Sequence, residues 1–499
     1  MTDGPPSFAR QTGSAVTWQT LQLVGVNAVH VMRLAVLAHL LSPDDFGLLA
    51  MGIVSVELLL QATDLGMMAA LVQRGPATDS NYDAAWTIGV IRGVCLSALL
   101  FVMAPLAGIV FQAPRAPEVV RALAIRPILQ AAASIRMADL VRTLDFRAIM
   151  LLKLCEAVTI AVVSVVLARP LGVWGLIAGT LAGPVVATVM SYGLAPYRPR
   201  LTLDRRSVRP LIGFGRWVFL TSIFAAVGNL ILQAAISREL GAEQLGLYFM
   251  AARLVYLPLE VLGEVVGTVA FPLYARLQSN VEEATAVFRR LLIASSAVGY
   301  PSLAVIIAFA PSLDAVLGSA WTGTSGIIRI LAVSAVVGLV GDLAVPVYKG
   351  FGRPQFVTAL ELVQSTLVTV LVWPCVTHYG VVGAAVAWLP AALASQLLNL
   401  RLLSIVLRRP LDGLPQPLVA VGAISIVAAG IAAAVTQLLS GMLGLVVAAA
   451  MSIGETAVLL VRVDRRLNLG LGRILVDVFR VDTRILRTAL HRRRRQPPR

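Results

Sequence analysis

Charge is scarce in this chain. Asp, Glu, Lys and Arg make up 13% of its 499 residues, where soluble domains carry about 25%, so an ordinary solvated surface is excluded. Histidine numbers 4 and cysteine 3. Cys95, Cys155 and Cys375 stand in separate apolar runs without mutual spacing. That excludes a disulfide framework and a thiolate metal centre and leaves buried free thiols. No phosphate-cradling glycine loop, His/Cys ligand spacing or nucleophile elbow occurs. Neither a metal nor a cofactor is expected. A membrane polymerase or ligase needs a sizeable extramembrane loop for its catalytic groups, and every loop assigned below to the outer side is short. The chain is therefore read as a protein that is not an enzyme.

Apolar sequence fills the space. Hydrophobic residues reach 58% and mean hydropathy is +0.84. Runs of about twenty apolar residues recur from end to end. Glycine, proline and charge divide them into about fourteen spans: 14–41, 47–73, 84–112, 118–141, 149–168, 172–195, 212–237, 245–270, 287–310, 325–346, 355–376, 380–404, 416–439 and 443–461. The first is about twenty-eight residues long, beyond the roughly 7–15 of a signal-peptide core, so it is read as a retained span. Lipid offers the backbone no hydrogen bonds, which makes each span a helix. The fold class is an all-α polytopic membrane protein.

The distribution of Lys and Arg orients it. With a cytoplasmic N-terminus, 32 of the 41 fall in inside segments, 4 in outside loops and 5 within spans. Both termini are thus expected on the cytoplasmic side. The net charge of +15 is concentrated in the tail, where residues 462–499 hold 12 arginines. Such a tail after a last span suits anionic phospholipid rather than nucleic acid. Within it, residues 473–490 can form a helix with one apolar face.

The chain also repeats itself. "LSPDDFGLLAM" from Leu41 returns as "LGAEQLGLYFM" from Leu240, 199 positions on, and "LGVWGLIAG" from Leu171 returns as "YGVVGAAVA" from Tyr379, offset 208. Both copies begin after an even number of spans and so share one orientation, which places a binding site between two lobes. The expected organisation is an N-lobe (1–195, spans one to six) and a basic cytoplasmic linker (196–211), then a C-lobe (212–404, spans seven to twelve). Two further helices (405–461) and the basic tail (462–499) follow.

These stretches, with "DLGMMAALVQR" (Asp64 to Arg74), "RTLDFRAI" (Arg142 to Ile149), "LGLYFMAARLVYLP" (Leu245 to Pro258), "VAFPLYARLQSN" (Val269 to Asn280) and "LGSAWTGTSGIIRIL" (Leu317 to Leu331), resemble the polysaccharide flippases of the multidrug/oligosaccharidyl-lipid/polysaccharide exporter superfamily. The likeness is to the lipopolysaccharide and exopolysaccharide translocase branch and covers roughly residues 10 to 400. It implies two six-helix lobes, alternating access and a multi-pass protein of the bacterial inner membrane. The implied cargo is an oligosaccharide on a polyprenyl pyrophosphate, moved to the periplasmic leaflet, with polysaccharide polymerase and export machinery as possible partners. Many such proteins carry an acidic residue in the seventh span; "GNLILQAAISRELG" (Gly228 to Gly241) is apolar at its centre.

A charge at mid-bilayer costs about 2.5–3.5 kcal/mol, so the ionisable residues within the spans must pair or face a hydrated cavity. At about 100° per residue, Gln22, His30 and Arg33 share one face of the first span, with Asn27 at its edge. Asn229 and Gln233 share a face of the seventh. Polar cavity lining and interhelical hydrogen bonding both account for these stripes. The implied pyrophosphate suits the planar guanidinium fork, which makes Arg33, Arg92 and Arg253 the candidates to bind it. Glu57, Asp64 and Glu260 are candidates for ion coupling. Trp18, Trp86, Trp217 and Trp321 lie near span ends and are read as interface anchors. A cation-exporting relative is the alternative function.

Overall fold

In the computed structural model, residues 8–63, 71, 79–143, 145–202, 216–438 and 454 are described. Every regular element among them is helical. Ten of these helices are long and apolar enough to cross a membrane. The fourteenth span and the basic tail lie outside the described residues, as do the end of the second span and most of the linker.

Helix α1 (Phe8–Leu40) leads into α2 (Pro43–Ala62) through a two-residue break. Ser42 caps α2 in a reciprocal box with Asp45, satisfying amide groups that the first turn leaves orphaned. The other Asp45 oxygen accepts the amide of Val173, 3.2 Å away. Helix α3 (Asp79–Phe111) follows.

The fourth expected span is not one helix. Residues 116–142 form three short ones: α4 (Ala116–Leu123), α5 (Arg126–Ala131) and α6 (Met137–Arg142). Pro127 lacks an amide donor and sits in the first turn of α5, where a helix tolerates it and the preceding helix cannot run on through it. The break persists because α8 (Val173–Leu194) supplies the missing partners. Ser191 Oγ accepts the Ser134 amide at 2.8 Å, Thr188 donates to the Leu129 carbonyl at 2.7 Å and Tyr192 donates to that of Ala132 at 2.9 Å. Irregular backbone at membrane depth is tolerated where protein satisfies it in this way. Helix α7 (Phe146–Leu171) precedes α8.

Two later helices are each too long for a single crossing: α9 (Arg216–Arg276) and, after α10 (Val281–Leu317), a 3-10 turn (Ser319–Trp321) and α11 (Thr324–Gly350), the helix α12 (Pro354–Val406). Both leave helical geometry once, at Gly241 and Gly380, and both double back there. Ala225 and Glu260 of α9 line one cavity, although a straight helix would hold them roughly 50 Å apart. Gly383 of α12 lies so close to Cys375 that a Cβ would come within 1.9 Å of the Cys375 carbonyl oxygen. Helix α13 (Pro415–Leu438) ends the described region.

The second sequence echo has a backbone counterpart. Gly172, between α7 and α8, has φ 58° and ψ −128°; Gly380 has φ 61° and ψ −150°. Both need a residue without Cβ strain at positive φ. The two copies of this echo thus make the same reversal, once between two helices and once inside α12.

On the side that the arginine distribution assigns to the cytoplasm, residues 195–202 lie along α3. Tyr197 donates to Asp83 at 2.5 Å, and the Thr202 amide donates to Thr87 at 3.1 Å. Burial and the adjacent Asp83 carboxylate push the Tyr197 phenol above its usual pKa, so it remains a donor.

Candidate functional site between the two halves

The first echo marks a contact between its own copies. A Cβ on Gly47 would lie 1.8 Å from the Ala242 carbonyl oxygen, and one on Gly246 would lie 1.8 Å from that of Pro43. Positions 43 and 242, like 47 and 246, are equivalent at the offset of 199, so the contact is reciprocal, as across a two-fold axis. Two further bonds repeat the relation. Trp321 Nε1 donates to the Ala38 carbonyl at 2.9 Å, and Ser237, the equivalent of Ala38, donates to the Phe111 carbonyl at 2.7 Å. Trp321 is fully buried and meets Phe46 edge-on, with ring centroids 5.1 Å apart. The interface-anchor reading fails for Trp321. Its indole is an internal strut whose N–H needs a buried acceptor, and it finds one 283 residues away. Trp18 does carry a cation over its ring, that of Arg147 at 5.8 Å.

Deeper along the same helices the contact becomes polar. His30 and Arg33 of α1 lie within electrostatic reach of Arg253 of α9. Arg33 Nε is buried without a hydrogen-bond partner. Arg253 is held by Glu260, one turn pair along the same helix, through bonds of 2.9 and 3.0 Å. Lys153 of α7 pairs with Glu156 at 3.0 Å and also reaches Glu264 of α9 electrostatically. Charges from both halves therefore face one another here.

The remaining candidates are placed as follows. Arg92 grips the end of α2, with Nε to Thr63 at 2.9 Å and its fork to the Leu60 carbonyl at 2.6 Å. Glu57 is ion-paired with Arg126 at 3.0 Å. Asn27 bonds back to the Leu23 carbonyl of its own helix at 2.9 Å, and Gln22 is half-buried. Asp64 lies outside the described residues. Gln233 donates to Asn229 at 3.1 Å. Both line a cavity of about 390 Å³ beside Arg253, Glu260, Glu361 and Trp388.

A second cavity, of about 320 Å³, adjoins the first. Tyr256, Glu361 and Trp388 line both, and Asp342 lines the second with Gln364 and Gln396. The sequence marks Asp342 and Glu361 as costly intramembrane carboxylates but assigns them no role. Only the meeting of α11 with α12 does so.

A helical protein with many membrane crossings, closed at one end and polar between its halves, has the build of a transporter. Residues 36–325 match the family described as polysaccharide biosynthesis protein. This is more than half of the chain, which belongs to that family. Among curated relatives, the lipopolysaccharide biosynthesis protein WzxC of Escherichia coli is 24% identical over 346 residues, 68% of this chain and 70% of that one. The succinoglycan biosynthesis transport protein ExoT of Rhizobium meliloti is 24% identical over 391 residues, 75% and 79% of the two chains. Among solved structures, the lipid II flippase MurJ in an inward closed conformation aligns with a TM-score of 0.71 at 13% identity, covering 90% of this chain and 99% of MurJ. An inward-facing multidrug resistance MATE transporter aligns with a TM-score of 0.63 at 16% identity, covering 78% and 95%. The fold is that of these transporters.

Proposed function

We propose that the chain flips a polyprenyl-pyrophosphate-linked oligosaccharide from the cytoplasmic to the periplasmic leaflet of a bacterial inner membrane, by alternating access, for surface polysaccharide assembly. Both termini are cytoplasmic in this reading. Residues 1–195 and 212–404 act as two lobes, a division supported by the reciprocal contact at Gly47 and Gly246. That contact is the outer gate. The tail, 462–499, rests on anionic phospholipid, and polymerase and export proteins receive the product.

The observation that carries the reading is that Arg33 and Arg253, from opposite halves, lie within electrostatic reach of each other, with Arg33 Nε buried and without a hydrogen-bond partner. Two guanidinium groups close together repel, and a pyrophosphate between them replaces that repulsion with charge-assisted, bidentate bonds. Taking Arg253 releases Glu260, which can then accept a proton or cation and couple transport to a gradient. A strain lacking the gene should accumulate lipid-linked glycan and lose surface polysaccharide, and the wild-type gene should restore both. A normal lipid-linked pool in that strain contradicts the proposal.

The cavity of Asp342 and Glu361 favours a second reading, export of a cationic compound. In that case the deletion strain keeps its polysaccharide and becomes sensitive to cationic dyes.

A further inference from the structure

The cavity beside Arg253 holds an unmet acceptor. Gln233 is only 8% exposed, its Nε2 is spent on Asn229, and its Oε1 has no hydrogen-bond partner. Buried acceptors are rarely left so, and an exception calls for a missing donor. Glu361, which lines the same cavity, accepts one bond, from Ser365 at 2.9 Å, and retains capacity for more. Trp388 donates its indole N–H to the buried Tyr248 hydroxyl at 2.9 Å, which fixes the ring in the cavity wall.

We infer that this cavity is the subsite for the first sugar of the cargo, the residue joined directly to the pyrophosphate. The inference rests on the flippase reading above. A sugar ring presents an apolar C–H face to an aromatic wall and hydroxyl donors at its rim, which suits a cavity lined by Trp388, Gln233 and Glu361. Position agrees with chemistry. Arg253 lines the cavity, and a sugar bonded to the phosphate that Arg253 holds can reach no farther than the adjoining space. About 390 Å³ is in the range of small-ligand sites and accommodates the first sugar, with the distal sugars extending beyond it. The polyprenyl chain is a poor occupant, because it would seal Gln233 Oε1 and Glu361 away from any donor. The amide and carboxylate then select for the hydroxyl pattern of that first sugar.

The test uses the full-length protein in phospholipid nanodiscs and two probes: undecaprenyl pyrophosphate, and the lipid-linked glycan extracted from the strain lacking the gene. The wild-type protein should bind the glycosylated probe about tenfold more tightly than the bare one. Gln233→Leu and Trp388→Leu should each cut that margin by about fivefold and leave the affinity for undecaprenyl pyrophosphate, which reports the arginines and correct folding, within about twofold. Should one variant lose both affinities through misfolding, the other still decides. Equal binding of the two probes by the wild type overturns the subsite. So does a margin that survives both substitutions, which would mean that water alone satisfies Gln233. If the strain accumulates no lipid-linked glycan and the wild type ignores undecaprenyl pyrophosphate, it is the flippase reading that fails.

Discussion

In the first half of the chain the intramembrane charges close on one another. Glu57 meets Arg126 at 3.0 Å, Lys153 meets Glu156 at 3.0 Å, and Arg92 holds the carbonyl end of α2. In the second half they border open space: Asp342 and Glu361 line cavities, and Glu260 holds Arg253 from a side chain 53% exposed. Two regions that share a sequence pattern thus use their polar residues differently. In the first, Glu57–Arg126 and Arg92 fasten helices together where lipid supplies no hydrophobic drive for association; in the second, carboxylates line cavities. Arg33 departs from this pattern: among the described residues no ion pair holds it, its Nε is buried without a hydrogen-bond partner, and it lies within electrostatic reach of Arg253 in the second half.

That contrast can be broken at its strongest point first. Replacing Arg33 or Arg253 by Ala should lower glycan export by about tenfold or more, since hydrogen bonds to charged groups contribute roughly 1.5–3 kcal/mol each. Lys at either position should restore export only in part, lacking the fork. Surface polysaccharide and the lipid-linked pool, measured at equal protein level, report both effects, and full export by both Ala variants would remove the arginines from the site.

Next is the gate. Gly47→Val sets a branched side chain where even a Cβ falls 1.8 Å from the Ala242 oxygen, so the halves must part there. Export should fall several-fold. In a background without the native cysteines, Ala252→Cys in the cavity wall should react faster with an impermeant thiol reagent added from outside. Unchanged labelling would show that the contact does not seal the path.

The first-half pairs sharpen the comparison by doing less. Glu57→Gln should lower stability by about 2 kcal/mol, because it leaves a half-buried Arg126 with a weaker partner, while export per folded molecule stays near wild type. Thermal unfolding in detergent separates the two quantities, and a selective loss of export would return Glu57 to the coupling candidates. Tyr197→Phe should have the smallest effect, about 1 kcal/mol, read as faster proteolysis of the segment 195–202 with transport intact.

Much of this architecture was legible in the chain. Hydropathy marked the helices because each must be apolar for about twenty residues to span a bilayer, and α12 doubles back at Gly380, between the eleventh and twelfth runs. The fourth span misled because hydropathy is blind to backbone pairing: the chain leaves the helix between α5 and α6, where the hydroxyls of Thr188, Ser191 and Tyr192 pair with its backbone groups. Trp321 misled because a tryptophan near a span end looks the same whether lipid headgroups or another helix lie beside it. Arg33 and Arg253 were legible as intramembrane cations, but the pairing of Arg253 with Glu260 was not. Arg92 looked the same, since its partners on α2 are 29 and 32 positions away.

The sequence by itself determined the membrane, the helices and the repeat, because each is written in local composition or in self-comparison along one dimension. Which polar residue is spent on structure and which lines a cavity was decided only in three dimensions. A side chain's commitment depends on what stands opposite it, and for Ala38 and Trp321 the opposite group lies 283 residues away.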